Sequence, residues 1–405
     1  MDQRGYLPRH LDGPLERALA AAPVVLLDGP RGVGKTTTAA RLAASSVMLP
    51  RDLDLLRFDP ETFLRAAEPP VLLDEWQLAG TDLLWAIKRI VDDDPTPGRF
   101  ILTGSVEPAT YGPTYPLTGR AVRLVMRPMT TAELTGHGNE PSLLAGLADG
   151  APPPLGRRSA SPLLLEDLFR PGFPAARHMP DSRLFLDAYA ALASQRAGEE
   201  GRDGARLLRA MQVLATLTAA AAPDQRVWDA ADINKATWKH YDDLLTRIHL
   251  TADLPAYESN RLKRLTSYPK RFLADTALAC ALADITPDDL RSDPTLAGAY
   301  LESHVMQQLR PQVDLAGGHL HHLRSSAGER EIDGLIETRG SLIAVEVKHS
   351  ARPTVADAKH LLWLRDQVGH RFRHGLVIHA GTDCYSLEEQ VTALPLGLLT
   401  TALDT

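Results

Sequence analysis

Val24-Val-Leu-Leu-Asp-Gly-Pro-Arg-Gly-Val-Gly-Lys-Thr-Thr-Thr38 decides how the first part of the chain folds. Its short apolar opening reads as a buried parallel strand. G-x-x-x-x-G-K-T follows at Gly29, Gly34, Lys35 and Thr36, and a helical stretch runs from Thr37 to Ala44. Strand, glycine loop and helix in that order make a phosphate cradle. The glycines let backbone N–H groups curl around the anion, and the helix start adds partial positive charge. Gly29, Pro30, Arg31, Gly32, Val33, Gly34, Lys35, Thr36 and Thr37 are therefore the expected nucleotide loop. Lys35 would reach the β- and γ-phosphates, and the Thr36 hydroxyl would ligate Mg²⁺.

Working outward, Val71-Leu-Leu-Asp-Glu75 is a second apolar strand that ends in acids. Asp74 is expected to hold the metal through water, and Glu75 to polarise the attacking water. Phe100-Ile-Leu-Thr-Gly-Ser105 is a third strand, whose Thr103 or Ser105 is placed to sense the terminal phosphate. Leu55-Leu-Arg-Phe58 reads as a further strand, and Asp82 to Val91 as a helix. Alternating β and α predicts an α/β layered domain. Arg120, in Leu-Thr-Gly-Arg, either contacts a phosphate, in cis or from a neighbouring subunit, or makes a surface salt bridge.

The chain has 405 residues, with 44 Lys and Arg against 51 Asp and Glu, a net charge of -7. That balance excludes wholesale polyanion binding and leaves room only for a local basic patch. Two cysteines, Cys280 and Cys384, exclude a disulfide scaffold and suit a reducing cytoplasm. The polar start MDQRGYLPRH has no apolar core of a signal peptide, and no run is long enough for a bilayer. A cytoplasmic protein without a membrane partner is expected.

These spacings resemble the AAA-type branch of P-loop ATPases, which insert a strand between the phosphate loop and the acidic strand. More narrowly, the chain resembles a prokaryotic family that joins such an ATPase to a C-terminal domain of unknown function, DUF4143. The likeness rests on Tyr6-Leu-Pro-Arg9, the phosphate loop, Leu72-Leu-Asp-Glu-Trp-Gln77, Leu102-Thr-Gly-Ser105 and Leu117-Thr-Gly-Arg120. It continues through Arg127-Pro-Met-Thr-Thr-Ala-Glu-Leu134, Pro171-Gly-Phe-Pro174, Ser267-Tyr-Pro-Lys-Arg-Phe-Leu-Ala-Asp-Thr-Ala-Leu278 and Gly298-Ala-Tyr-Leu-Glu302. Ala277 stands where family members usually carry Gly. The resemblance implies ATP and Mg²⁺ as cofactors, and AAA-type ATPases often form rings, so a homo-oligomer is a candidate state. It also implies a C-terminal domain like the PD-(D/E)xK nucleases.

The residues near the C-terminus fit that implication. Asp333 lies in the strand-like Glu331-Ile-Asp-Gly-Leu-Ile-Glu337, and Glu346 and Lys348 lie in Leu342-Ile-Ala-Val-Glu-Val-Lys348. Side chains two apart on a strand share a face, and a hairpin would bring Asp333 beside them. Two carboxylates hold a hard divalent cation, with Glu302 on the preceding helix as a further ligand. A lysine beside them positions water or stabilises developing charge. The plainer reading is a cross-strand salt bridge. His319, His321 and His322 read as a solvated strand rather than a metal site.

Between the two ends, Gly136 to Ser161 is rich in Gly, Pro and Ser and reads as a linker. Helices are expected at 206–222, 236–249 and 297–309. Arg261, Lys263, Arg264, Lys270 and Arg271 form a basic run near Tyr257 and Tyr268, and helices followed by a basic hairpin resemble a DNA-reading winged helix. Segment 261–271 is then either a DNA contact, a solvated basic turn or a docking face for the ATPase. The expected division is an ATPase domain over 1–140, a linker and helical winged-helix-like region over 141–290, and a nuclease-like α/β domain over 291–405. The expected activity is ATP hydrolysis coupled to action on DNA. The alternative is an ATPase switch whose C-terminal domain only binds protein or nucleic acid.

Overall fold

A computed structural model describes residues 5–105, 115–257, 268–325 and 330–400. The first layer is a five-stranded parallel sheet of β1 (Val24–Asp28), β2 (Ser45–Met48), β3 (Val71–Asp74), β4 (Phe100–Gly104) and β5 (Ala121–Val125), in the order β2-β3-β4-β1-β5. β1 sits inside the sheet and is buried along its whole length, which is why it reads as a continuous apolar run. Its side chains alternate between two cores. Val25 and Leu27 face the core shared with the rest of the chain. Val24 and Leu26 face a second core closed by the helix Thr81–Asp93.

One strand is not the one expected. Leu55 to Phe58 lies in a helix, Leu53–Phe58, and Phe58 is 94% exposed. The inserted strand is instead Ser45–Met48, an edge strand that buries only Val47 fully and so carries little apolar signal.

The predicted linker is more structured than its composition suggests. It contains the helix Leu143–Ala148, and residues 156–163 then run along the C-terminal domain. Gly156, Ser159 and Leu163 donate backbone hydrogen bonds to the carbonyls of Cys384, Thr382 and Ala380. Helices Ser182–Glu199, Gly204–Thr216, Asp224–Ala230 and Lys235–Arg247 follow. A small ladder closes them: Leu254 and Lys270 exchange both backbone hydrogen bonds at 2.9 Å, and Arg271 N donates to Ala220 O. The expected basic hairpin falls largely at residues 258–267, outside the described residues. Ala277 lies in the first turn of the helix Thr276–Leu282, so no turn there needs a glycine.

The long helix Pro294–Leu315 leads into a six-stranded mixed sheet. Its strands are β6 (His319–Arg324), β7 (Glu331–Thr338), β8 (Ser341–Lys348), β9 (Phe372–His379), β10 (Tyr385–Glu388) and β11 (Val391–Pro395), in the order β10-β11-β9-β8-β7-β6. β7 and β8 form the expected antiparallel hairpin, and β9 joins β8 in parallel. Beyond β6 the sheet gains chain from the preceding region: Ala256 bridges His322, Tyr257 N donates to His322 O at 2.6 Å and His322 N donates to Pro255 O at 3.0 Å. His321 and His322 are therefore 5% and 2% exposed, not solvated. Burial pushes His322 down to about 4. No described helix is long and apolar enough to cross a membrane.

Candidate active site

The phosphate loop leaves β1 with Gly29, Gly32 and Gly34 all in the positive-φ region. At Gly29 no other residue fits, because a Cβ would stand 2.1 Å from the Met126 carbonyl oxygen. The helix Lys35–Ala40 starts at once. Among the described residues, none accepts a hydrogen bond from the N–H groups of Gly34, Lys35 or Thr36. Lys35 is 6% exposed and turns back on its own loop, donating to the carbonyls of Gly29 and Pro30 at 2.8 Å each. Burial pushes its ammonium down to about 8, against the pull of Glu75, Asp28 and Asp74. Unspent backbone donors beside a buried cation form a cradle for an anion, and the phosphates of ATP fit it.

The acids arrive from β3. Thr36 Oγ1 donates to Asp74 Oδ1 at 2.7 Å, and Thr103 Oγ1 donates to the same oxygen. A hydroxyl and a carboxylate held together at the end of the loop are oxygen ligands suited to Mg²⁺. Glu75 has φ 54, a strained setting for a non-glycine residue of the kind found at functional sites. Its Oε2 accepts from Ser105 Oγ at 3.1 Å and from Gln77 Nε2 at 2.5 Å. So Thr103 holds Asp74 and Ser105 holds Glu75.

The sequence motifs outside the loop brace it. Arg9 is 4% exposed and donates to Glu133 Oε1 at 2.9 Å, to the Val33 carbonyl at 2.7 Å and to the Arg127 carbonyl at 2.8 Å. Glu133 in turn closes a capping box with Thr130. Gly172 N donates to the buried Asp275 at 2.7 Å, which ties Pro-Gly-Phe-Pro to the Asp-Thr-Ala-Leu segment.

Two cavities flank the loop. One of about 280 Å³ joins Arg31, Glu75, Gln77 and Ser105 to Tyr189 and Arg196 of the helix Ser182–Glu199 and to Ile248 and Leu250. One of about 100 Å³ lies between Tyr6, Gly34, Thr37, Thr38, Pro174 and Arg177.

Arg120 does not reach the loop in its own chain. It precedes β5, whose Ala121 is level with Val24, so it sits at the opposite end of a parallel sheet from the glycines. It pairs there with Asp92. The β5 arginine on the loop side is Arg123, whose Nε donates to Asp28 Oδ2 at 2.6 Å. Neither Arg123 nor the buried Asp28 was legible, because a single acid closing an apolar strand has no motif of its own.

Residues 21–135 match the AAA domain family, residues 163–289 a domain of unknown function, DUF8612, and residues 297–399 the domain of unknown function DUF4143. The chain joins an AAA-type P-loop ATPase domain to a C-terminal DUF4143 domain. It is 27% identical to the uncharacterised proteins Rv2008c of Mycobacterium tuberculosis and Mb2031c of Mycobacterium bovis, over 94% of this chain and 82% of each of theirs. A similar solved structure is the Walker-type ATPase PABY2304 of Pyrococcus abyssi, at 15% identity and a TM-score of 0.42 over 69% of this chain and 99% of that one.

In the DUF4143 domain the four residues singled out do converge. Gly334 pairs with Val345, so Asp333 and Glu346 are cross-strand neighbours on one face, and Lys348 lies two further along. Lys348 Nζ donates to Glu346 Oε1 at 2.8 Å, and Val347 N donates to Asp333 Oδ2 at 2.9 Å. Glu346 Oε2 is buried with no hydrogen-bond partner. Burial, with Asp333 beside it, pushes Glu346 up to about 7.

A fifth member comes from outside the domain. Lys270, 1% exposed, places its ammonium 2.8 Å from Glu302 Oε1, 3.0 Å from Glu331 Oε1 and 3.1 Å from Asp333 Oδ1. Among the described residues, no group of three or more His, Cys, Asp or Glu is arranged to hold a metal. The expected DNA contact through 261–271 is corrected in its last two residues. Lys270 is held by these acids, and Arg271 is buried among Asp224, Asp253 and Asp242, so neither is available to a phosphate backbone. Arg261 to Ser267 lie outside the described residues.

Proposed function

We propose that the ATPase binds and hydrolyses Mg²⁺-ATP at the phosphate loop and uses that cycle to govern a nuclease-like centre in the DUF4143 domain that acts on DNA. For the first half the supporting observation is the joined set Lys35, Thr36, Asp74, Glu75, Thr103 and Ser105. Thr36 and Asp74 would hold the metal, which supplies charge neutralisation at the β- and γ-phosphates. Lys35 would leave the loop carbonyls for phosphate oxygens. Glu75, oriented by Ser105 and Gln77, would align the attacking water. Tyr6, Pro174 and Arg177 border the cavity suited to the base.

For the second half the carrying observation is the shared face of Asp333, Glu346 and Lys348 with Glu302 nearby, which is the donor set of metal-dependent phosphodiester cleavage. Glu302 is buried, and burial together with Asp333 raises its carboxyl well above the usual range, a sign of acids crowded for a purpose. A link between the halves is available, because Ile248 and Leu250 line the cavity beside Glu75 and the same stretch continues into the ladder that carries Lys270. A second reading, a C-terminal domain that binds without cleaving, is favoured by that same Lys270, since an ammonium already balances part of the carboxylate charge.

The test is cleavage of plasmid and single-stranded DNA by the purified chain with Mn²⁺, with and without ATP, beside Glu346→Ala and Lys35→Ala. Cleavage lost in Glu346→Ala supports the nuclease reading. ATP hydrolysis that is lost in Lys35→Ala and raised by DNA, with no cleavage, supports the binding reading.

A further inference from the structure

A further cavity, of about 40 Å³, lies on the β5 side of the phosphate loop, where three stretches of chain meet. Pro30 of the loop borders it, Arg127 follows β5, His249 and Thr251 come from the helical region, and Gln307 and Arg310 come from the long helix Pro294–Leu315. Among the described residues, no acid lines it. Arg310 makes no ion pair among them, and its guanidinium donates only to the Ala252 carbonyl. Arg127 donates only through Nε, to Asp314 at 2.7 Å, which leaves its two terminal nitrogens unspent. A guanidinium held out of water without an acid of its own is costly, and a second beside it adds to the cost. Burial, with Arg127 nearby, pushes Arg310 down to about 9. The acids that oppose them, Asp253 and Asp314, are already taken by Arg271 and by Arg127. His249 reports the same field independently. Burial pushes it down to about 4, and the charges acting on it, Arg123, Lys35 and Arg127, are all positive.

We infer that this cavity is a second anion site, separate from the phosphate loop, which takes one free inorganic phosphate of the kind ATP hydrolysis releases. The size fits. A water needs about 10–15 Å³ of such space, so the cavity has room for about three waters or for one small tetrahedral oxyanion. The donors fit as well. Guanidinium groups give charge-assisted hydrogen bonds to phosphate oxygens, and a neutral imidazole and a hydroxyl can add one donor each. Arg310, Arg127, His249 and Thr251 supply those groups from three directions. The source is adjacent, because the Pro30 carbonyl that borders the cavity accepts from Lys35 Nζ at 2.8 Å. A phosphate seated there touches the edge of the ATPase sheet, the helical region and the long helix of the DUF4143 domain together. The state after hydrolysis then differs from the ATP state at the point where all three meet. The inference goes beyond the nuclease reading and depends only on ATP hydrolysis, as the supplier of the anion.

The experiment is equilibrium dialysis of the full chain against radiolabelled inorganic phosphate, with Mg²⁺ and a non-hydrolysable ATP analogue filling the loop. Wild type should hold one phosphate per chain under these conditions. Arg310→Met should weaken that binding at least about tenfold, since a charged donor is lost. Arg127→Met, whose side chain is 30% exposed, should act in the same direction and replaces the first variant if Arg310→Met fails to fold. A trinucleotide, whose phosphodiesters are too large for the cavity, should not displace the phosphate. No phosphate bound with the loop filled, or phosphate bound equally by the folded variants, overturns the proposal. Phosphate that binds beside ADP but is expelled by the ATP analogue lies in the γ-phosphate seat of the loop, which also overturns it. Displacement by the trinucleotide assigns the site to nucleic acid instead and overturns it as well. DNA cleavage or its absence does not enter this readout, so the two readings fail separately.

Discussion

Replacing Arg9 with methionine should cost about 3 kcal/mol of stability and weaken nucleotide binding in the same stroke. The guanidinium is 4% exposed and faces a Glu133 carboxylate that is 3% exposed, so this is a buried ion pair. Breaking such a pair from one side costs about 3–5 kcal/mol, mostly because the other charge is left buried. Glu133 would keep two donors, His10 N and Thr130 N, each at 2.8 Å, which puts the cost at the lower end. The carbonyls of Val33 and Arg127 would each lose a charged donor as well. Val33 lies inside the phosphate loop, so its release should raise the KM for ATP with less effect on kcat. Urea unfolding followed by fluorescence measures the first effect and steady-state ATPase kinetics the second. In the double variant Arg9→Met/Glu133→Gln the two losses should fall short of additivity by at least about 1 kcal/mol. A single-variant loss below about 1 kcal/mol, or strict additivity, would refute the account of Arg9 as a brace.

Glu75→Gln should lower ATP turnover by at least about a hundredfold while leaving nucleotide affinity within a few-fold, since only water activation is removed; equal losses in both would point to a structural role. His304 is 5% exposed and burial pushes it down to about 4, below its unfolded value, so its contribution is complete above about pH 6.5 and fades as the pH falls towards 4. Between pH 7 and 5 that amounts to about 2 kcal/mol, so His304→Gln should lose about that much less stability than wild type over the same interval. Buried acids such as Asp275, raised by burial, act in the opposite sense, which is why the comparison must be between variant and wild type; parallel urea midpoints would rule the effect out. Gly172→Ala should cost about 1–3 kcal/mol, because its Cβ would meet the Met129 carbonyl oxygen at 2.6 Å; an unchanged thermal midpoint would show that the backbone yields there.

What could be read from the chain depended on how locally it was encoded. The phosphate loop is legible because strand, glycines and helix are contiguous, and β7 and β8 because two apolar runs stand only two residues apart. Leu55 to Phe58 misled because apolar residues were taken as buried, whereas the helix there leaves Phe58 in solvent. β2 was passed over for the converse reason, being an edge strand with polar serines. Arg120 stands in a motif and Arg123 in none, and only the register of β5 against β1 separates their positions. Lys270 is the sharpest case. Counting charges made it part of a basic patch, but its partners come from a distant helix and strand, and pairing across that span leaves no spacing to recognise.

The seam between β6 and residues 255–257 has a consequence for how such chains can be inherited. The outer strand of the C-terminal sheet is met by backbone from the region before it, and a piece beginning at residue 297 would leave the N–H and C=O of His322 unpaired at the middle of that edge. A gene rearrangement that grafted this sheet onto another ATPase would keep these contacts only if it carried Pro255 to Tyr257 with it, and Lys270 besides. The unit that can be moved without damage is wider than the stretch by which its relatives are recognised.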